Sequence, residues 1–308
     1  MQTDKKVQIL LSTYNGEKYL REQLNSFINL ENYNQVKVLI RDDGSTDGTC
    51  NILKEYHERH GFEVLKGENI GVNKSIMELL QKCDLKCDYF ALSDQDDVWL
   101  KDKITKALTV LENEDHKIPL LFASCSQVVD CELNPISSTL IPKKGVSFYN
   151  AMVQNVTPGH TQVFNRRLLE LLLQSKSAQN IQVIDWWIYL VGSGLGKVIF
   201  INDFTVKHRQ HGNNAVGYQT NFLISFRNRL QRIRQNKANL ISKQLQDFNL
   251  YFGSQVEDKY SNELSSYFSY QRYLHTRIKY IFKTRTYRQS LLESFIFKTL
   301  YLLGKYKV

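Results

Sequence analysis

The chain has 308 residues, 42% of them hydrophobic, and a formal charge of +9. That apolar content is enough for a full core, which excludes a disordered or low-complexity protein, and the length fits one large domain or a domain with an appendage. No window approaches the ~18 uninterrupted apolar residues that a spanning helix requires, and the polar stretch Met1 to Lys6 lacks a signal-peptide pattern, so the expectation is a protein made and kept in the cytoplasm.

Short apolar runs at Val7–Thr13, Val36–Arg41, Phe62–Lys66 and Asp88–Ser93 read as strands. The stretches between them, about Glu17 to Asn29, Thr49–His60 and Val72–Lys82, carry helical spacing. Strands alternating with helices of this length form βαβ units on a mostly parallel sheet, so the first hundred residues are Rossmann-like in topology. After Trp99 a helix is expected to about Asn113, then a strand over Leu120–Val129, a loop holding Pro135 and Pro142, and a mixed region to Gly217.

From Gln219 glycine and proline nearly vanish, and apolar residues recur at helical spacing. Examples are Phe226, Leu230, Ile233, Leu240, Ile241 and Leu245, and again Leu291, Leu292, Phe295, Ile296, Leu300 and Leu303. The tail therefore reads as helical. Charge collects there too: residues 220–308 hold 16 Lys and Arg against 5 Asp and Glu, whereas 1–219 is slightly acidic. The five cysteines (Cys50, Cys83, Cys87, Cys125, Cys131) complete no zinc spacing and read as inert thiols.

The most informative stretch is Ser93-Asp94-Gln95-Asp96-Asp97-Val98-Trp99, directly after the apolar run Tyr89-Phe90-Ala91-Leu92. The acids thus sit at the carboxyl end of a buried strand, the edge at which open α/β sheets bind ligands. Unshielded, three carboxylates in four positions repel one another and raise at least one pKa. A hard divalent cation shared with substrate phosphates is their natural partner.

Two more segments turn at the same edge, Ser12-Thr13-Tyr14-Asn15-Gly16 and Arg41-Asp42-Asp43-Gly44-Ser45-Thr46-Asp47-Gly48-Thr49. They suit a nucleoside, with Tyr14 to stack on a base and Asp42 or Asp43 to accept from a pyrimidine N–H or a ribose hydroxyl. Either segment alone also reads as ordinary turn chemistry, with Ser45 or Asp47 capping the following helix. No Gly-x-Gly-x-x-Gly follows the first strand, which disfavours a dinucleotide.

These motifs, with Glu68-Asn69-Ile70-Gly71 between them, occur in an order and spacing that resembles the family 2 glycosyltransferases of GT-A fold over about residues 7–217. With the later segment His208-Arg209-Gln210-His211-Gly212-Asn213-Asn214, the chain is most similar to bacterial rhamnosyltransferases of polysaccharide building. The resemblance implies an α/β GT-A catalytic domain over 1–219, with a nucleotide-sugar half to about 113 and an acceptor half beyond it, followed by a basic helical region over 220–308.

It also implies roles. Ser12, Thr13, Tyr14, Asn15, Asp42, Asp43, Asn69, Gly71 and Asp94 would hold the nucleotide, and Asp94 and Asp96 would form an Asp-x-Asp pair serving ribose and metal. The metal, Mn²⁺ or Mg²⁺, would bridge the two phosphates, with His211 or His208 as a further ligand, Asp97 as a supporting acid, Arg209 near the diphosphate, and Gln210 in the donor and acceptor pocket. Asp185 in Val183-Ile184-Asp185-Trp186-Trp187 is the expected base for inversion, with Trp186 and Trp187 as an apolar floor for a sugar ring. Ile184 stands where close relatives often carry His. Trp99, His160 and Thr161 are assigned to the donor and acceptor pocket.

Arg227, Arg229, Arg232, Arg234, Lys237 and Lys243 share one predicted helix, whose basic face suits anionic headgroups on the inner side of a membrane. A solvated face over a packed helical bundle is the competing reading, and nucleic acid is not expected. The expected activity is inverting, metal-dependent transfer of a sugar, L-rhamnose from dTDP-rhamnose, to a lipid-linked or growing cell-surface polysaccharide. A UDP-sugar-dependent enzyme of the same fold is the first alternative. A nucleotidyltransferase and a non-catalytic nucleotide-binding scaffold are remoter ones.

Overall fold

The architecture comes from a computed structural model that describes residues 5–211 and 239–307. Gly212, Asn213 and Asn214, and the basic run Arg227, Arg229, Arg232, Arg234 and Lys237, lie outside the described residues.

Strands β1 (Val7–Thr13), β2 (Val36–Asp42), β3 (Glu63–Lys66) and β4 (Tyr89–Ser93) form a parallel run in the order β3-β2-β1-β4. Helices α1 (Leu20–Ile28), α2 (Thr49–His60) and α3 (Val72–Lys82) connect them. Side chains alternate across β1 as a pleated strand requires: Ile9 and Leu11 enter one apolar cluster with α1 and α2, and Leu10 enters the other with α3. Both faces are covered, which explains the near-continuous apolar sequence of these strands.

Beyond β4 the sheet becomes mixed. β5 (Val98–Trp99), α4 (Lys103–Leu111), β6 (Leu120–Val129), β7 (Pro135–Ser138), α5 (Phe148–Ala151), β8 (Val163–Asn165), α6 (Arg166–Gln174), α7 (Ile184–Leu195) and β9 (Lys197–Arg209) complete the described part up to residue 211. β8 runs antiparallel to β4 and β6, and β9 runs parallel to β6. The α/β GT-A class stands, with the parallel character confined to the first half and the β6–β9 pair.

Two boundaries differ from expectation. The helix expected from Trp99 starts only at Lys103, because Val98 and Trp99 pair with Val206 and Lys207 of β9. The segment at Pro135, expected as loop, is an edge strand on β6, a place where a missing N–H costs no ladder bond.

From residue 239 on, the described tail is helical: α8 (Leu240–Phe252), α9 (Asp258–Ser269), α10 (Leu274–Lys283) and α11 (Leu291–Leu302); Phe226, Leu230 and Ile233 lie outside the described residues. α8 packs on the catalytic part. The Phe248 ring lies 5.2 Å from that of Phe148 and 6.3 Å, edge-on, from that of Trp187, and a Cβ at Gly194 of α7 would come within 2.8 Å of the Phe248 ring. Only glycine admits α8 at that distance. Asp247 accepts from Asn180 N at 2.8 Å and from Asn180 Nδ2 at 2.9 Å, and Gln244 accepts from Gln182 N at 3.0 Å. The residues leading into α7 are thereby pinned by α8.

In α11 the packing face is Phe297 and Tyr301 rather than the expected row, of which Leu291, Leu292, Phe295 and Leu303 are exposed. No described helix is long and apolar enough to cross a membrane.

Phe248 is fully buried. Replacing it with Ala is expected to lower unfolding free energy by about 3–5 kcal/mol through a cavity at the α5–α7–α8 junction. Urea denaturation of the full chain checks this, and an unchanged midpoint would contradict the packing described.

Candidate active site

Because β1, β2 and β4 are parallel, their carboxyl ends meet at one edge, with Thr13 beside Asp42 and Leu11 beside Ser93. The loops that follow are cross-linked. Thr13 Oγ1 donates to Asp42 Oδ1 at 3.1 Å, Asn15 N donates to Ser45 Oγ at 2.9 Å, and Thr46 N donates to Asn15 Oδ1 at 2.8 Å. Asn15 itself adopts a positive φ of 47°. Ser12 Oγ pairs with Ser75 Oγ at 2.6 Å.

Gln95, which sequence reasoning passed over, accepts from Tyr14 N at 2.8 Å and donates to Tyr14 O at 3.0 Å. A Cβ at Gly16 would sit 2.5 Å from its Oε1, so glycine there permits the latch between the first loop and the acidic turn. The Tyr14 ring stays half exposed.

Asp42 and Asp43 are both buried. Asp42 accepts from Thr13 and from Ser45 N and Oγ at 3.0 and 2.6 Å. Asp43 is ion-paired with Arg41 and accepts from Ile70 N at 3.0 Å and Gly71 N at 2.9 Å. Both carboxylates therefore do structural work at the loop ends; of the bonds described, Asp43 Oδ2 takes only one, and a carboxylate oxygen has room for two. Asn69 and Gly71 lie on the exposed loop so anchored.

The three acids after β4 separate into two environments. Asp97 is wholly buried: His208 Nδ1 lies 2.9 Å and Arg209 N 3.0 Å from its Oδ1, and its Oδ2 has no hydrogen-bond partner among the described residues. His160 stacks on His208 at 4.4 Å, with Nδ1 3.3 Å from Asp94 Oδ2 and 3.8 Å from Asp97 Oδ2. Ligand atoms of Asp94, Asp97, His160 and His208 all lie within 4.8 Å of one another. Asp96 lies outside that cluster and is largely buried, its Oδ2 2.8 Å from His211 Nε2.

Burial pushes Asp96 up to about 6, helped by Asp94 and Asp97 and opposed by His211. Burial would raise Asp97 too, but His160, His208 and the Arg209 N–H hold it below the usual carboxylate range. Burial works against the His208 imidazolium, yet Asp97 pushes its pKa up to about 9. Lys103, also unforeseen, is buried over the Trp99 ring and donates to the His160 carbonyl; desolvation drives it well below its ordinary range against the pull of Asp97 and Asp94. The spacing of Trp99 and Lys103, four apart across a helix start, was the available signal.

Asp185 stands in the first turn of α7. Gly159 N donates to its Oδ2 at 2.9 Å and Trp186 N to its Oδ1 at 2.7 Å. Asn73 Oδ1 accepts from Ile184 N at 3.0 Å, and Asn73 Nδ2 donates to Gln182 O at 2.9 Å, tying the start of α7 to α3. Burial raises Asp185 to about 6, lowered in part by the Gly159 N–H and raised again by Asp94.

Four expected pocket residues are elsewhere. Trp187 is fully buried against α8 and donates to Ser175 Oγ at 3.0 Å, so it is core and not a floor for sugar; Trp186 is only partly buried, its Nε1 donating to Ala151 O at 2.6 Å. Trp99 is buried edge-on to Phe27. Thr161 is buried and bonds Pro158 O at 2.8 Å. Arg209 is buried as a strut, paired with Glu22 of α1, bonded to the Asp96 and Cys131 carbonyls and set over the Tyr19 ring, so it cannot extend to a diphosphate. His160 turns into the acid cluster, and Gln210 N continues the ladder to Val129 O at 2.8 Å.

A mixed sheet of this order gathers the four motifs at one edge, with the acids directly after β4. The chain belongs to glycosyl transferase family 2, whose family model matches residues 8–172. Its activity is sugar transfer, and the resemblance seen in the four motifs stands. It is 30% identical over 230 residues to the dTDP-rhamnosyl transferase RfbG of Shigella flexneri, covering 70% of this chain and 77% of that protein. In fold it is similar to S. aureus TarS 1–349 in complex with UDP, with a TM-score of 0.58 at 17% identity over 91% of this chain and 75% of that one. It is also similar to the mannosyltransferase PcManGT from Pyrobaculum calidifontis, in complex with GDP-Man and Mn²⁺, with a TM-score of 0.51 at 14% identity over 97% and 85% of the two chains.

The His208–Asp97 pair carries a pH signature. With a folded pKa of about 9 against an ordinary 6.5, His208 contributes stability that is complete below the lower value and lost as pH rises through the higher one. Melting temperature is expected to fall across that window in the wild type and to lose this slope in His208→Gln, checked by thermal denaturation at a series of pH values; parallel slopes would contradict the pairing.

Proposed function

We propose that this enzyme transfers a sugar with inversion from a nucleotide-diphosphate donor, L-rhamnose from dTDP-rhamnose, to a lipid-linked or growing cell-surface polysaccharide of capsule or cell-wall type. The observation that carries the reading is the meeting of Asp94 and Asp96, the half-exposed Tyr14 ring and the raised carboxyl of Asp185 around one sheet edge. The rhamnosyl donor is supported by the likeness to the Shigella flexneri protein.

The residues present fit a divalent cation. Asp94, Asp96 and Asp97 bring three negative charges, and the raised His208 supplies one positive charge, which neutralises Asp97. Two negative charges remain at the mouth, with an imidazole at 2.8 Å from Asp96. Two carboxylates and a nitrogen ligand suit Mn²⁺, and Mg²⁺ with more water. We assign the ligands to Asp94, Asp96 and His211, and to His208 the role of counter-charge behind them. When bound, such a cation neutralises charge developing on the leaving diphosphate.

The protein's own groups do the rest. Tyr14 stacks on the base, and Asp43 Oδ2 accepts from the nucleoside beside the loop of Asn69 and Gly71. Trp186 presents an indole fixed by its bond to the Ala151 carbonyl. Asp185, ionised above about pH 6, takes the proton of the acceptor hydroxyl as that oxygen bonds to the anomeric carbon. The bond from that carbon to the phosphate oxygen breaks on the opposite face, and its electron pair leaves with the diphosphate.

A second reading keeps the mechanism and replaces the donor with a UDP-sugar. It is favoured by the fold's likeness to a protein solved with UDP.

Asp185→Asn is expected to cut turnover about a hundredfold to ten-thousandfold while leaving donor affinity within a few-fold, and the wild-type rate should fall on the acid side with a midpoint near 6. Product assays on a lipid-linked oligosaccharide check both, and undiminished transfer by the variant would remove the base. Asp96→Ala is expected to abolish Mn²⁺-dependent donor binding, measured calorimetrically against dTDP and UDP compounds. Binding of equal strength would contradict the ligand assignment.

A further inference from the structure

Helices α9, α10 and α11 meet in a knot of Tyr267, Tyr280 and Tyr301, all buried, with ring centroids 5.9, 5.5 and 4.3 Å apart in the pairs 267–280, 267–301 and 280–301. Arg277 Nη1 also donates to the Leu302 carbonyl at 2.6 Å. α10 and α11 therefore lie side by side on α9, and helical geometry fixes which residues point away from it. On α10, Leu274, Ile278 and Phe282 repeat every four residues on the side opposite Tyr280. On α11, Leu291 and Phe295, followed one turn beyond Thr299 by Leu303, do so opposite Phe297 and Tyr301.

All six are exposed, from 42% at Ile278 to 83% at Phe282. Scattered apolar residues need no explanation, but two exposed apolar stripes on helices that pack on each other through Tyr280 and Tyr301 are more than scatter. Residues 270–307 carry nine Lys and Arg against the single acid Glu293, which is bound to Arg288 at 3.0 Å. Along α10 the stripe is bordered by Lys279 and Lys283, one residue on from Ile278 and Phe282.

We propose that the outer face of α10 and α11 docks on an anionic lipid bilayer, its apolar stripes entering the interfacial zone and its cations meeting headgroup phosphates. Charge selects this occupant. A second copy would press nine cations against nine, and the segment 220–238 is itself cationic. Apolar stripes rimmed by Lys and Arg are the chemistry of an interfacial helix. This moves the membrane contact from the basic run expected between Arg227 and Lys243 to a different surface. It rests on the proposed function only in that a lipid-carried acceptor gives the docking a use.

The test uses the full chain with vesicles of phosphatidylcholine and phosphatidylglycerol in equal parts, and of phosphatidylcholine alone. The wild type should co-sediment with the anionic vesicles, release as salt is raised, and leave the neutral ones in solution. The double variant Phe282→Asp, Phe295→Asp should bind at least about tenfold more weakly with unchanged circular dichroism and unchanged donor hydrolysis, since neither residue belongs to the acid–histidine cluster. Absence of wild-type binding, equal binding by the variant, or a lipid-free wild-type dimer that the variant dissolves would each overturn the proposal. Vesicle binding without turnover of any sugar nucleotide would sink the proposed function alone, and turnover without vesicle binding would sink the docking alone.

Discussion

Three carboxylates crowded behind one strand set the terms for the rest of this structure. Asp94, Asp96 and Asp97 follow β4 directly, and the most buried of them is tolerable only because β9 returns His208 and the Arg209 N–H to its side. The antiparallel pairing of Val98 with Lys207 holds that arrangement in register. A buried carboxylate without such partners would cost several kcal/mol or give up its charge. His208 offsets the inner acid, and the outer pair is left with negative charge that suits a divalent cation.

Supports run outward from this point in two directions. Arg209 joins α1, the acidic turn and the Cys131 segment through Glu22 and two carbonyls, and Gln95 joins the acidic turn to the Tyr14 loop. On the far side, Asp185 is placed by Gly159, by Asn73 from α3, and indirectly by α8, whose Asp247 and Gln244 hold the residues before α7. The tail helix is thus a wall of the catalytic region. We accordingly regard 240–252 as part of the catalytic unit and the division at 219 as a matter of charge and composition more than of packing.

Much of this was legible in the sequence because parallel strands deliver their carboxyl ends to a common edge, so locating the strands located the loops. Asp94, Asp42 and Ser12 could be put together on that ground alone. Trp187 could not be placed, because α7 is apolar on nearly every side and offers no polar face from which to infer the buried one. Arg209 looked like a ligand for phosphate because its partner Glu22 is remote in sequence, and burial of a charge is visible only once the partner is known. Lys103 was hidden for the same reason. In α11 the apolar spacing gives a helix but not which side turns inward, and Phe297 and Tyr301 take the inner side through the tyrosine knot.

Electron spin resonance of Mn²⁺ added with dTDP-rhamnose tests most directly whether Asp94, Asp96 and His211 hold a cation shared with the donor. Hyperfine coupling of the bound ion to both donor phosphorus and one imidazole nitrogen, the latter lost in His211→Ala, is the result this account requires. A bound ion with no phosphorus coupling, or a nitrogen coupling lost instead in His160→Ala, would contradict it.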